Sequence, residues 1–221
     1  MLSYNDPKVC PSISTVVFDY GGVLAEEGFR DGLLAIARMS ELDGPSFFQM
    51  ATDAIYETGY LTGISSEKYY WDSIRNISGI DLTDSLMKHE IMSRFTLRAP
   101  MIELARLLRG KGLKIVVLSD QTNWLDELDA RDHFFQEFHS VLNSYYLGKG
   151  KRDVTIFQDL VATLAQDPAS VLFIDDNEGH TQRARSLGIQ TITFTNVTTL
   201  LESLRSMSVI TDSEADRIIS G

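Results

Sequence analysis

The sequence predicts an α/β fold: a parallel sheet covered by helices on both faces, carrying an inserted bundle of four helices. Three observations lead there. Short β-branched or aromatic runs recur near residues 16–18, 113–118, 139–143, 171–174 and 191–194, each the length of a buried strand. Between most of them, apolar residues fall at spacings of three and four, the mark of helices that bury one face. Residues 25–98 interrupt this alternation with helical spacing and no strong strand signal. Strands that alternate with helices imply parallel pairing, because each parallel crossover needs a helix-sized connection.

In order along the chain, residues 1–13 are polar, contain Pro7 and Pro11, and read as an N-terminal extension. The first strand stops at Asp19, and Gly21-Gly22 then break it. In the insert, Leu33, Leu34, Ile36, Ala37 and Met39 suit one face of a first helix, and Phe47, Phe48, Ala51 and Ile55 one face of a second. Gly44-Pro45-Ser46 separates the two, and Gly59 and Gly63 bracket the next break. Ser65-Ser66-Glu67-Lys68 starts a third helix carrying Tyr69, Tyr70, Trp71 and Ile74, and Asp81-Leu82-Thr83-Asp84 starts a fourth that runs towards Phe95. Four helices are the usual minimum for a self-contained helical core.

Pro100 marks the return. Met101, Leu104, Ala105 and Leu108 form a helix expected to close at Gly110. After the second strand, which ends at Ser119-Asp120, a helix carries Trp124, Leu125 and Leu128. A further helix holds Val154, Phe157, Leu160, Val161 and Leu164, ending before Pro168. The fourth strand ends at Asp175-Asp176, residues 181–187 are helical, and one or two short helices follow Asn196. The expected division is a core of residues 1–24 and 99–221 and an inserted domain of residues 25–98, whose junctions near Leu24 and Pro100 could act as hinges.

Composition narrows the function. A length of 221 residues with 43% hydrophobic content suits one sizeable domain with an insertion. The net charge of −11 argues against binding to a nucleic-acid backbone as the main role. Cys10 is the sole cysteine, which rules out an intrachain disulfide. There is no apolar signal core and no run near the roughly 18 apolar residues of a membrane span, so the expectation is a soluble cytoplasmic protein. The oligomeric state is not legible.

Four polar clusters stand at or just after strand ends: Asp19, Ser119, Lys151 and Asp175-Asp176. Parallel strands bring their carboxyl ends to one edge of the sheet, where open α/β folds place their ligands. A nucleophile, acids for a divalent cation and donors for the remaining oxygens are what phosphoryl transfer needs.

These four motifs, in this order and with the helical insert between the first two, resemble the haloacid dehalogenase-like (HAD) hydrolases of the helical-cap branch. The resemblance implies a Rossmann-like core and a cap that closes over the site. By it, Asp19 is the nucleophile that becomes an aspartyl-phosphate, and Ser119 donates to a phosphate oxygen. Lys151 neutralises nucleophile and phosphate, with Lys149 as a nearby competitor and Arg152 where proline is usual. Asp175 and Asp176, with Asp19 and the backbone carbonyl of Gly21, hold Mg²⁺, a hard cation that takes oxygen ligands. Asp120 lies beside the phosphate site. The implied function is a Mg²⁺-dependent phosphatase of a small phosphate ester.

One departure stands out. Many phosphatases of the family carry a second aspartate two residues after the nucleophile, as general acid and base; this chain has Gly21, resembling sugar-phosphate phosphatases with an Asp-x-Gly first motif. Asp120 and His180 are the candidate substitutes, while His89, His133 and His139 read as surface or packing residues. Dehalogenase or phosphonatase chemistry is the alternative, although Lys68 and Lys88 lack a recognisable setting for the Schiff-base lysine of a phosphonate-cleaving enzyme. A non-catalytic member that binds metal or phosphate is the third reading.

Overall fold

A computed structural model of the chain describes residues 12–220. Most of the N-terminal extension therefore lies outside the described residues. Five strands, β1 (Thr15–Phe18), β2 (Lys114–Ser119), β3 (Ser140–Asn143), β4 (Val171–Asp175) and β5 (Gln190–Thr193), form one sheet in the order β3-β2-β1-β4-β5. Every pair is parallel, and β1, the first strand in sequence, is central. The α/β expectation holds, including the weak third strand at the sheet's edge.

Alternation along the strands divides the core in two. Val16, Phe18, Ile115, Val117, Leu172 and Ile174 face one side. There they meet α5 (Ala99–Gly110), α6 (Trp124–Asp132), α10 (Val197–Ser206) and α11 (Asp212–Ser220). Val17, Val116, Leu118, Val171 and Phe173 face the other side, under α8 (Thr155–Leu164) and α9 (Glu178–Ser186). A short helix, α7 (Ser144–Leu147), follows β3.

The insert consists of α1 (Gly28–Met39), α2 (Gly44–Glu57), α3 (Glu67–Ser78) and α4 (Asp84–Met92). Its helix starts follow the capping chemistry of the sequence: the Asp43 side chain accepts from the Ser46 amide, Ser66 from Tyr69 and Thr83 from Leu86. The apolar faces of these helices belong to the same buried cluster as the first side of the sheet, so apolar contact runs unbroken from sheet to insert. The chain enters and leaves the insert along two adjacent stems. Glu26 N–H donates to Thr96 O and Arg98 N–H to Leu24 O, each at 2.9 Å, while the Arg98 guanidinium donates to the Gly22, Val23 and Ala25 carbonyls.

Local expectations needed correction at four points. Gly110 does not close α5; the helix runs through it, and Gly112, at φ 86°, makes the left-handed turn two residues later. Met39 and Tyr69 are exposed, Met39 as the last residue of α1 and Tyr69 because it lies about a quarter-turn beyond the apolar stripe of α3. Val154 precedes α8 rather than packing within it, and Ile156 takes the buried place.

Candidate active site

The parallel register aligns the strand ends. Phe18 pairs with Val117 on one side and Ile174 on the other, which puts Asp19 level with Asp175 and Ser119 one residue further along at the carboxyl edge of the sheet. Asp19 is anchored there by its own amide, which donates to Ile174 O at 2.9 Å. One Asp19 carboxylate oxygen accepts from the Tyr20 amide and pairs with Lys151 Nζ at 2.7 Å. Lys151 Nζ also donates to Asp175 Oδ2 at 2.7 Å, so one fully buried ammonium bridges two carboxylates. Asp175 is fixed further by the Asn177 amide at 2.8 Å and by His180 Nδ1 at 3.2 Å, both to Oδ1.

Between the two candidate lysines the geometry is unambiguous. Lys149 points away, to Asp159 and Thr155, while Lys151 lies against Asp19. Asp120 explains how the irregular 148–154 loop delivers it. Its carboxylate accepts the Lys151 amide at 2.9 and 3.1 Å, the Ser144 hydroxyl at 2.6 Å and the Tyr56 hydroxyl at 2.8 Å. A carboxylate so occupied is a fastener for the lysine loop, not a proton donor.

Charge is unevenly distributed. Asp19, Asp175 and Asp176 each offer an oxygen within 4.8 Å of the others, and among the described residues Lys151 is the one lysine or arginine in direct contact. Burial works against the Lys151 charge, yet Asp175, Asp19 and Asp120 outweigh it and hold the ammonium above its ordinary range. Burial likewise opposes ionisation of Asp175, but Lys151 and His180 keep its carboxyl below the usual range. Asp19 and Asp176 are pushed up, each by burial first and then by the neighbouring carboxylates. Three carboxylates around one ammonium leave surplus negative charge, and every donor offered is a hard oxygen. That set fits a divalent cation such as Mg²⁺. Gly22 shapes the same spot: at φ 78°, a Cβ on it would lie 2.2 Å from Asp176 Oδ2.

A cavity of about 330 Å³ opens above this floor. Asp19, Gly21, Ser119 and Asp176 line its base, and Arg30, Phe48, Thr52 and Ile55 of the insert line its roof. His180 and Gln121 also reach it. Among the described residues no lysine lines it: Lys68 pairs with Asp72, and Lys88 with Glu67 and Glu127. His139 accepts from the Ile115 amide, the packing role expected of it.

Sequence reasoning passed over Glu27. It lines the cavity, its Oε1 accepts the Arg30 amide at 3.2 Å at the start of α1, and burial, aided by Asp176, lifts its carboxyl to about 7. The available signal was its position as an acid a few residues beyond a first motif that lacks one.

Known proteins are similar to this chain. A family model described as haloacid dehalogenase-like hydrolase matches residues 13–188. The rat bifunctional epoxide hydrolase 2 is 26% identical over 225 residues; the match takes in 89% of this chain but 39% of that protein. A HAD-like family hydrolase from Porphyromonas gingivalis superposes with a TM-score of 0.71 at 21% identity, covering 88% of this chain and 98% of the other. A HAD family enzyme from Bacteroides thetaiotaomicron, in complex with magnesium and inorganic phosphate, gives a TM-score of 0.61 at 24% identity, covering 83% and 95%. At such identities the two structures speak for the fold.

Proposed function

We propose that this chain, which belongs to the haloacid dehalogenase-like hydrolase family, is a Mg²⁺-dependent phosphatase of a small phosphomonoester. The observation that carries the reading is Asp19 paired with buried Lys151 beside Asp175 and Asp176, at the base of a cavity roofed by the insert. Asp19, Asp176, Asp175 and the Gly21 carbonyl would hold the metal. Bound there, Mg²⁺ would offset the charges of nucleophile and phosphate.

Asp19 attacks phosphorus and forms an aspartyl-phosphate, which water then hydrolyses. Lys151 opposes the upward pull of burial on the nucleophile's carboxyl and draws charge from a phosphoryl oxygen, while Ser119 donates to another. Asp120 holds the lysine loop and lines the wall of the phosphate site. The insert acts as the cap, excluding bulk water from a pocket sized for a small substrate. The net charge of −11 agrees with a small-molecule ligand rather than a nucleic acid, and among the described residues no helix is long and apolar enough to cross a membrane.

The test is phosphate release from a panel of small phosphomonoesters with and without Mg²⁺, with Asp19→Asn as control. Metal-dependent turnover that the variant loses by on the order of 10⁴-fold is expected. Folded protein that binds Mg²⁺ but turns over no ester would overturn the reading, and metal-independent halide release from a 2-haloacid would replace it with dehalogenation.

A further inference from the structure

Gly21 leaves the reaction without the side chain that would protonate the departing oxygen. A Cβ built on Gly21 would lie 3.4 Å from Glu27 Oε2, so a carboxylate from the start of α1 already reaches the space an aspartate there would enter. Glu27 holds this position through its other oxygen, Oε1, which accepts the Arg30 amide. Glu27, Asp19 and Asp176 all line one cavity. Asp120 is committed elsewhere, both its oxygens accepting hydrogen bonds, and His180, held to Asp175 through Nδ1, is the competing group that the test includes.

We propose that Glu27 is the general acid and base of this site, its carboxyl standing in from the insert for the side chain missing at Gly21. The inference rests on the phosphatase reading. In the first step Asp19 Oδ bonds to phosphorus, the ester P–O bond breaks, and the Glu27 proton passes to the departing oxygen, which leaves as an alcohol. In the second, the Glu27 carboxylate takes a proton from a water whose oxygen bonds to phosphorus. The P–O bond to Asp19 breaks, releasing inorganic phosphate and restoring both carboxyl groups. Proton transfer of this kind is worth about 10²–10⁴-fold. Because Glu27 caps the insert's first helix, the acid comes from the insert and not from the sheet edge.

The test compares kcat/KM for alkyl phosphates, phenyl phosphate and 4-nitrophenyl phosphate in the Mg²⁺-loaded wild type, Glu27→Gln and His180→Asn. Glutamine keeps the Oε1 acceptor for the Arg30 amide, so the variant folds. Glu27→Gln should lower kcat/KM for alkyl phosphates by about 100-fold or more and for 4-nitrophenyl phosphate, whose leaving group needs no proton, by less than about 5-fold, with phenyl phosphate between. A merely structural role would lower all three equally, and that result would overturn the proposal. So would a leaving-group signature that appears in His180→Asn instead. Wild-type turnover lost in Asp19→Asn but untouched by Glu27→Gln would remove this inference and leave the phosphatase reading standing; no wild-type turnover would remove both.

Discussion

The floor and the roof of the cavity are built on different principles. The floor is a set of strand ends locked by charge, in which Asp19, Lys151 and Asp175 are joined by contacts of 2.7 Å and Asp175 is pinned again by Asn177 and His180. The roof comes from α1 and α2 and is mostly apolar, reaching the floor through a few side chains. Tyr56 donates to Asp120, Arg152 stacks 3.8 Å from the Tyr56 ring, and Glu27 fills the space by Gly21. A site divided in this way can keep its chemistry fixed while its selectivity is set by surfaces that carry little of the charge.

Variants on the two sides should therefore differ in size and even in sign. Lys151→Met leaves two buried carboxylates without their cation. Loss of phosphate release is expected together with a fall in unfolding free energy of about 3–5 kcal/mol, read by urea denaturation in the presence of a chelator. Unchanged stability would mean that the floor is not held by charge. Gly22→Ala forces a Cβ onto the Asp176 carboxylate in a left-handed backbone. Calorimetry should show Mg²⁺ binding weakened by about 10–100-fold, the range for displacing the support of a metal ligand. Thr52→Val is the smallest change and runs the other way. Among the described residues the Thr52 hydroxyl, buried in the roof, has no hydrogen-bond partner, so removing it should stabilise the free protein by about 1 kcal/mol. KM should stay level, because the hydroxyl itself is closed off from the cavity. A Thr52→Val effect on kcat as large as that of Lys151→Met would erase the distinction between the two regions.

The same division governs what could be read from the sequence. Strand runs such as 113–118 are legible because a strand buried on both faces is apolar throughout, and Asp19, Ser119 and Asp175 follow from them because the chemistry sits where the runs stop. Lys151 is preferred to Lys149 only through the family resemblance, since the loop that carries them has no periodicity. The choice is made by the Lys151 amide bonding to Asp120, a contact between residues 31 positions apart. In the roof, helical spacing tells buried from exposed but not core from cavity: Phe47 and Ile55 share a stripe, yet only Ile55 lines the cavity. Glu27 was hidden because it caps α1 although glutamate is not among the residues that announce a helix start, so no local pattern marks it. Four-residue α7 is too short to show a period at all.

The paired stems have a consequence for how such a molecule can change over evolutionary time. Ala25 forms an antiparallel bridge with Leu97, and Arg98 ties its own stem to the carbonyls of the other, so the excursion between them starts and finishes at nearly one point. Exchanging that excursion for another of different length would ask nothing of the strand order or of the residues on the sheet edge. The arrangement behaves as a socket, into which alternative lids can be plugged while the catalytic plate beneath keeps its wiring. If Glu27 donates the proton, the plug also carries one prong of the circuit, and a replacement lid must bring its own acid or regain one at Gly21.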